Sequence, residues 1–562
     1  MMYSVTMENN EDKFKALKSR WEQLKDSRKK FEPDWSEVQK FANNLVLEWD
    51  KIGEIPTRPK RFTSKAYGYK KTLDAGIVGY AVSPSLVWFK LGLEDNSLMN
   101  EYGVKDWLEE CEKNLLAMYN RSNFYREVNP AVGDCTCIGH GALYIDEDIK
   151  NRRLRFTHFP PNQLYFDINS YGEVDTCFRW YSDTLLNIVD FFGIDNVHEN
   201  MREAVKESEH WNDTYEILMC VYPRSDYNPN FKNSKNMPFA CVYLDLKNSF
   251  ILQESGFNEF PFAVFKWEQI SGFAYGSSPA QDALIEIKSL NTIKKTSLQI
   301  AQTSAEPPKL ASEGFNDIDL SPKGITYKPT QDSTLEALRT GENYPITLQE
   351  LANYDQEVKD WFYVDYFLAL QEKQGKMTAT EVIELQGEKA ATLSTFIVTL
   401  NEFLSNIITR SFNLLSRAQL LPPPPLSLIQ ANAVIKIDFT GPLAQNQQKY
   451  HQMGGTLQAL NAVGPIMQMF PNAGDYIDGD QLMKSTMEGM KMPQNVIRED
   501  DDVKRIREER IRAQQEEAAR QQQAAMVQAI MQNANKMGQA AQEGSMMDTI
   551  NKQLAGGMDG IQ

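Results

Sequence analysis

ESGFNEFPFAVFKWEQISGFAYGSSPAQD, residues 254–282, is the stretch from which the rest of the chain is read. Phe262, Val264, Phe265 and Trp267 crowd β-branched and aromatic side chains into seven residues, which predicts a strand over 261–267. Residues 270–278 then collect Gly272, Gly276, Ser277 and Ser278, the chemistry of a turn. Pro279 sits where a helix can begin, because its ring presets φ and the first turn does not need its missing N–H. The stretch therefore marks a border between two textures, strands before it and helices after it.

Upstream, ALYID, LRFTHF, QLYFDI, DTCFRWY, YEILMCVY and ACVYLDL, all between residues 142 and 246, read as strands separated by turn residues. A helix over 183–192 and a charged segment over 195–210 interrupt them. Nearer the N-terminus, Phe14, Leu17, Trp21 and Leu24 recur at helical spacing, Pro33 ends that pattern, and Trp35, Val38, Phe41 and Leu45 begin a second helix. Another helix is expected over 104–118. Residues 1–270 thus predict an α+β domain with a mostly antiparallel sheet.

Downstream, Leu284, Ile287, Leu290, Ile293, Leu298 and Ala301 lie on one broad face of a helix over 280–304, roughly 37 Å long. Pro307 and Pro308 stop it. Residues 309–344 are rich in Gly, Asp and Pro, with one strand-like piece, GITYKP. Thr347 and Glu350 form a capping-box pattern, which predicts that the next helix starts just after Pro345 and runs to Glu372. Gly375 suits a helix C-terminus, and a second capping box, Thr378 with Glu381, opens a helix to Gln419. Pro422–Pro425 is a polyproline spacer, Ala433–Phe439 a strand, and 445–490 a Met-rich helical region. Beyond Glu499 the Arg, Glu, Gln and Ala composition fits either a helical coiled coil or barrel, or a segment without a core of its own.

The formal charge is −17 over 562 residues, which argues against a surface built to grip DNA, since phosphate neutralisation supplies most of such affinity. It is compatible with a passage along which DNA slides. Six scattered cysteines give no disulfide framework, and the N-terminal MMYSVTMENNEDKF lacks the basic and apolar regions of a signal peptide; synthesis in a reducing cytoplasm is the expectation. No apolar run approaches the ~20 residues that span a membrane.

Chemical motifs are sparse. GFAYGSS (272–278) has glycines but no Lys to reach a phosphate, and reads as a flexible turn rather than a P-loop. Cys135, Cys137 and His140 have the wrong spacing for common zinc sites and read as small buried residues. The carboxylate groups Asp146, Glu147, Asp148 and Asp475, Asp478, Asp480 read as turns or helix starts. No catalytic residue, metal or cofactor is assigned. Arg58, Lys60, Arg61, Lys65, Lys70 and Lys71 lie in a basic, loop-like segment over 55–72, which reads as a solvated loop or, alternatively, as a nucleic-acid patch.

Several separated blocks, in order, carry a resemblance. They are SPSLVWFKL (83–91), SNFYREVNPAVGDCTCIGHGALYIDED (122–148), LRFTHFPPNQLYFDINSYGEVDTCFRWY (154–181), GFNEFPFAVFKWE (256–268), AYGSSPAQDALIEIKSLN (274–291) and KMTATEV (376–382). Together with PPPP and GPLAQNQQ further on, they resemble the podovirus-type head-to-tail connector, or portal, proteins of tailed bacteriophages over most of residues 10–510. FTSKAYGYKK, before the helix that precedes SPSLVWFKL, and Leu385-Gln386 depart from the family's usual pattern.

The resemblance implies a portal-type protomer that assembles into a ring, dodecameric in this family, at one capsid vertex. It implies a wing (1–278), a stem of two helices (279–305 and 346–371) and a clip (306–345). It also implies a tunnel loop (372–378), a long helix with a strand returning to the wing (379–444), a crown (445–498) and a Gln/Ala-rich tail or barrel (499–562). DNA would meet Lys373, Gln374, Lys376 and Met377; terminase and then the tail adaptor or nozzle would meet Lys309, Phe315, Asp317, Lys323 and Tyr327. Major capsid protein and scaffold would be further partners, and the protein would be non-enzymatic, made in the host cytoplasm and carried in the virion. A phage packaging enzyme, nuclease or ATPase, and a monomeric nucleic-acid-binding protein are the competing readings.

Overall fold

The computed structural model describes residues 10–95, 97–101, 103–148, 151–231, 233–305, 309–311, 330, 332, 334–337, 344–371, 393–431, 433–440 and 500–537. Two units divide the chain, 1–452 and 453–562.

The first unit opens with helices α1 (Asn10–Arg28), α2 (Glu32–Ala42) and α3 (Lys65–Ala81), strand β1 (Phe89–Leu93), and helices α4 (Val104–Arg121) and α5 (Phe124–Ile138). Strands β2 (His140–Asp148), β3 (Arg153–Thr157), β4 (Leu164–Ile168) and β5 (Val174–Thr184) follow, then short helices α6 (Leu185–Phe192) and α7 (Glu199–Ala204). The strand region closes with β6 (Thr214–Pro223), β7 (Phe239–Asp245), β8 (Phe250–Phe257) and β9 (Phe262–Lys266). Two-residue strands β10 (Glu268–Gln269) and β11 (Gly276–Ser277) enclose the glycine turn. Helices α8 (Pro279–Asp282) and α9 (Leu284–Ala305) come next, with the small strands β12 (Lys309–Ala311) and β13 (Leu335–Ala337). Helices α10 (Tyr344–Trp361), α11 (Val364–Gln371), α12 (Ser394–Arg417) and α13 (Leu426–Ala431) and strand β14 (Ile435–Phe439) complete what is described of it. The second unit contributes α14 (Asp500–Met537), whose described side chains are almost all exposed.

The architecture is α+β, as expected. A five-stranded antiparallel sheet runs β4-β5-β6-β7-β8, and a three-stranded one β3-β2-β9. α1 covers one face of the larger sheet. Phe14, Leu17, Trp21 and Leu24 pack there on Tyr165, Phe178, Trp180, Leu218 and Val242. Each such side chain, once buried, contributes about 1.5–3 kcal/mol. The other face joins the main core, which α2–α5, β2, β9 and α12 build around Trp35, Trp88, Tyr119 and Phe124. β14 pairs with β1, Phe89 opposite Phe439, so residues 350 apart in sequence share a ribbon (439 − 89).

Several local expectations are corrected. Residues 65–72 are not loop but the first turns of α3. α10 begins at Tyr344, so Pro345 lies in its first turn and Thr347 inside the helix; the capping-box start does not form. The helix expected to reach Glu372 breaks after Trp361, where Tyr363 takes φ +52 and its ring packs on Trp267, centroids 6.1 Å apart. The single helix expected over 280–304 is interrupted at Ala283, which separates α8 from α9. Asp146, Glu147 and Asp148 lie on strand β2, not in a turn or helix start. The expected second capping box at Thr378, the GITYKP strand, the 445–490 helices and the Asp475 group fall outside the described residues.

Candidate functional site

The border stretch folds into a packed junction. Gly139 takes φ +87, and a Cβ there would run into the backbone of Gly276; Gly141 likewise faces the Ala131 carbonyl. Ser278 is fully buried. Its hydroxyl donates to the Cys137 carbonyl (2.8 Å) and accepts the N–H of Gln281 (3.0 Å), which caps α8. Gly276 therefore serves close backbone approach to Gly139, just ahead of β2, while Gly272 faces open space. Gly276 and Ser277 are paired with Gln269 and Glu268 in the β10–β11 ladder, not arranged around a phosphate.

Beside the junction, Cys135 and Cys137 lie buried on α5. Burial pushes the Cys137 thiol up to about 12 and that of Cys135 well above its usual range. Burial also lowers His140 to about 4, so its ring is neutral, 5.0 Å from Trp35 and 5.0 Å from Tyr275. These three residues do not converge. Among the described residues, Glu207, Glu209 and His210 are the one group placed closely enough for a cation, and they sit at the surface. Asp148 of the β2 carboxylates is held by Arg153 (3.0 Å) and Asn151 (2.8 Å).

The basic segment is largely consumed by the fold. Arg61 donates to the Phe41 and Asn43 carbonyls (2.9 and 2.7 Å) and lies over Tyr67. Lys70 is buried and pairs with Asp74 at 2.9 Å; burial works against its charge, but Asp74 outweighs it and the pKa is raised. The hydroxyl of Thr136 donates to the second oxygen of Asp74. Lys65 pairs with Asp355 (2.8 Å), to which Tyr69 also donates (2.7 Å). Lys71 lies over the Tyr67 ring (5.6 Å), and among the described residues only Arg58 and Lys60 of the six named cations are left without a partner, too few for a phosphate-tracking groove.

Asp355 is thus the point that ties α10 to α3, not a carboxylate left to solvent. α9 and α10 pack side by side, and α10 reaches back to α8. α9 is fixed to the N-terminal helices through Lys288–Glu37 (2.7 Å) and Asn291, which accepts the N–H of Phe62 (2.8 Å). Only the first half of the expected apolar face of α9 is buried, at Ile287 and Leu290. Leu298 is exposed and Ile285 is 76% exposed, while on α10 Leu348 and Trp361 also remain open. Among the described residues these two helices leave apolar side chains exposed.

Of the residues expected to meet DNA, Lys373, Gln374, Lys376 and Met377 lie outside the described residues, as do Phe315, Asp317, Lys323 and Tyr327. Lys309 opens β12, opposite Ala337 of β13. Sequence reasoning did not find Arg28 or Arg410. Arg28, fully buried, pairs with Glu32 (2.8 Å) and donates to the carbonyls of Asn162 (2.8 Å), Leu164 (3.0 Å) and Trp49 (3.2 Å). Arg410 on α12 donates to the Ile145 (3.0 Å) and Glu259 (3.1 Å) carbonyls, joining that helix to β2. A charged residue at a core-facing helical position was the available signal.

The sequence profile of the bacteriophage head to tail connecting proteins matches residues 14–497. The chain belongs to that family. Among relatives of this head-to-tail connecting protein, the portal protein of Salmonella phage epsilon15 is 29% identical over 536 residues, 93% of each chain. The probable portal protein of Bordetella phage BPP-1 is 25% identical over 540 residues, 93% of this chain and 95% of the relative. The family is one of structural proteins. No helix among the described residues of this member is long and apolar enough to cross a membrane.

Proposed function

We propose that this connector is the portal of a tailed phage, a ring-shaped channel for genome packaging and ejection. The observation that carries the reading is the alignment with two phage portal proteins over 93% of the chain. Residues 1–278 form the wing, 279–305 and 346–371 the stem, 306–345 the clip and 372–378 the tunnel loop, with 379–444 returning to the wing, 445–498 as crown and 499–562 as tail. The apolar side chains left open on α9 and α10 support this assignment, since a ring of heterologous contacts gives each copy a neighbour to cover them. Lys373, Gln374, Lys376 and Met377 face DNA, and the clip, with Lys309, Phe315, Asp317, Lys323 and Tyr327, docks the packaging motor and later the tail adaptor. The protein is a virion component that turns over no nucleotide.

Light scattering and negative-stain electron microscopy of the purified protein, alone and co-expressed with its scaffold, test the reading. The expected result is a closed ring of about twelve copies with a central hole. A protein that stays monomeric in both preparations would refute it.

A further inference from the structure

α9 and α10 each keep one face bare, and the two bare faces match. On α9, Ile285, Lys288, Thr292 and Lys295 recur at i, i+3, i+7 and i+10, a spacing that lines them up on one side, and all four are exposed. The buried residues Ile287 and Leu290 lie on another side of that helix. On α10, Glu350, Asn353, Glu357 and Trp361 recur at i, i+3, i+7 and i+11, again on one side and again all exposed, while Val358 is buried.

The two faces carry opposite charge. α9 has three lysines against one glutamate, and α10 has four carboxylates against one lysine. Among the described residues no ion pair joins α9 to α10, and none reaches Glu350 or Glu357. Lys295 stands over the Phe62 ring at 5.6 Å. Lys288 reaches Glu37, yet its side chain stays 46% exposed.

The levels agree as well. Tyr363, two residues past the end of α10, lies within electrostatic reach of Asp282 at the end of α8. α9 and α10 pack side by side, so they run antiparallel away from that common level. Glu357 and Lys288 each lie six residues from it (363 − 357 and 288 − 282). Asn353 and Thr292 each lie ten away (363 − 353 and 292 − 282), and Glu350 and Lys295 each thirteen (363 − 350 and 295 − 282). At about 1.5 Å per residue these are heights of roughly 9, 15 and 20 Å. Trp361 and Ile285 sit nearest the common level.

In one chain both stripes face solvent, so neither covers the other. Copies related by rotation about a ring axis present the same residues at the same height, and a stem helix along that axis meets its neighbour level for level. Two different stripes of opposite charge make a heterologous contact, the kind that closes into rings and not into a two-fold dimer.

We propose that the α9 stripe of one copy packs against the α10 stripe of the next, with Lys295 paired to Glu350, Lys288 to Glu357, Thr292 against Asn353 and Ile285 against Trp361. This rests on the ring reading above and names the stem contact that holds neighbouring copies in register.

The test uses the full chain, co-expressed with its scaffold if it needs one to assemble. Thr292→Cys combined with Asn353→Cys should, on mild oxidation, give a ladder of covalent oligomers on a denaturing gel, because the thiols meet between copies; the six native cysteines are buried. A bond within one chain would leave the mass of a monomer. By mass photometry across a dilution series, Lys295→Glu and Glu350→Lys should each raise the concentration at which half the protein is in rings by about tenfold, since each sets like charges together. The charge-swapped pair should recover most of that loss, which a mere folding defect would not do. Rings that give no ladder, and that form from Lys295→Glu at wild-type concentrations, would overturn the contact and leave the portal reading standing. A wild type that forms no rings with or without scaffold would overturn both.

Discussion

Gly76 on α3 faces the ring of Phe367 on α11 with no room between them: a Cβ built on Gly76 would overlap the Cγ and Cδ1 atoms of the ring. α11 also stacks Phe367 on Tyr80, centroids 6.2 Å apart. The short helix after the Tyr363 break is therefore seated by close approach, not by a long apolar stripe. Gly76→Ala should destabilise the protein by about 1–3 kcal/mol through overpacking. Denaturant unfolding measures this, and a variant as stable as wild type would show that α11 is free to move aside.

Arg28 distributes one guanidinium over Glu32, three carbonyls within 3.2 Å, and the ring of Tyr165, 3.8 Å away. Arg28→Met should cost about 3–5 kcal/mol, because it leaves Glu32 and several carbonyls without donors. Arg28→Lys should recover little of it, since an ammonium cannot serve these directions at once. Urea midpoints of the two variants decide between a fork-specific and a merely electrostatic role.

His158 sits with Nε2 2.7 Å from the Asp134 carboxylate, and its main-chain N–H donates to Glu127. Burial alone would lower its pKa, but Asp134 and Glu127 outweigh burial and raise it. A folded pKa above the unfolded value of about 6.5 means stabilisation fully present below about pH 6.5 and lost as pH rises through the folded pKa. His158→Gln should therefore cost more at about pH 6 than at about pH 9. An equal cost at both would show that the pair is not charged.

Asp355 accepts from Tyr69 and pairs with Lys65, and burial with Asp355 holds the Tyr69 hydroxyl well above its usual pKa. Asp355→Asn should loosen α10 from α3 and cost about 1–3 kcal/mol. Hydrogen exchange of the α10 amides is the readout, with faster exchange expected there than in β5–β7.

Lys373→Ala with Lys376→Ala should leave ring assembly unchanged and alter DNA packaging or retention. A double variant that packages and retains DNA as wild type does would remove the role proposed for these residues.

The strand region was legible because aromatic and β-branched runs alternate with turns. β5, β6, β7 and β9 fall where the sequence places them. β8 was not expected, because Glu254, Ser255 and Gly256 interrupt the aromatic and β-branched pattern, yet they pair with Val242, Cys241 and Ala240. α5 was missed for a related reason. It carries Pro130 and Gly133, which weaken the helical pattern, and its helix is set by tertiary packing of Phe124, Val128, Ala131 and Val132. The basic segment misled because composition does not reveal partners: Lys70 and Lys65 look solvated until Asp74 and Asp355 are brought beside them. The tail was legible only as an alternative between helix and coreless segment, and residues 500–537 are helical.

The β1–β14 ribbon sets a clock for the newborn chain. Phe89 leaves the ribosome long before its partner Phe439, 350 residues later (439 − 89). At about 5–20 residues per second, the wait is roughly 20–70 s. Throughout it β1 presents an unpaired edge beside Trp88, the kind of edge that recruits foreign strands. A fragment ending before residue 435 would keep that edge open for good, so chaperone capture during synthesis should peak before Phe439 emerges and fall after it.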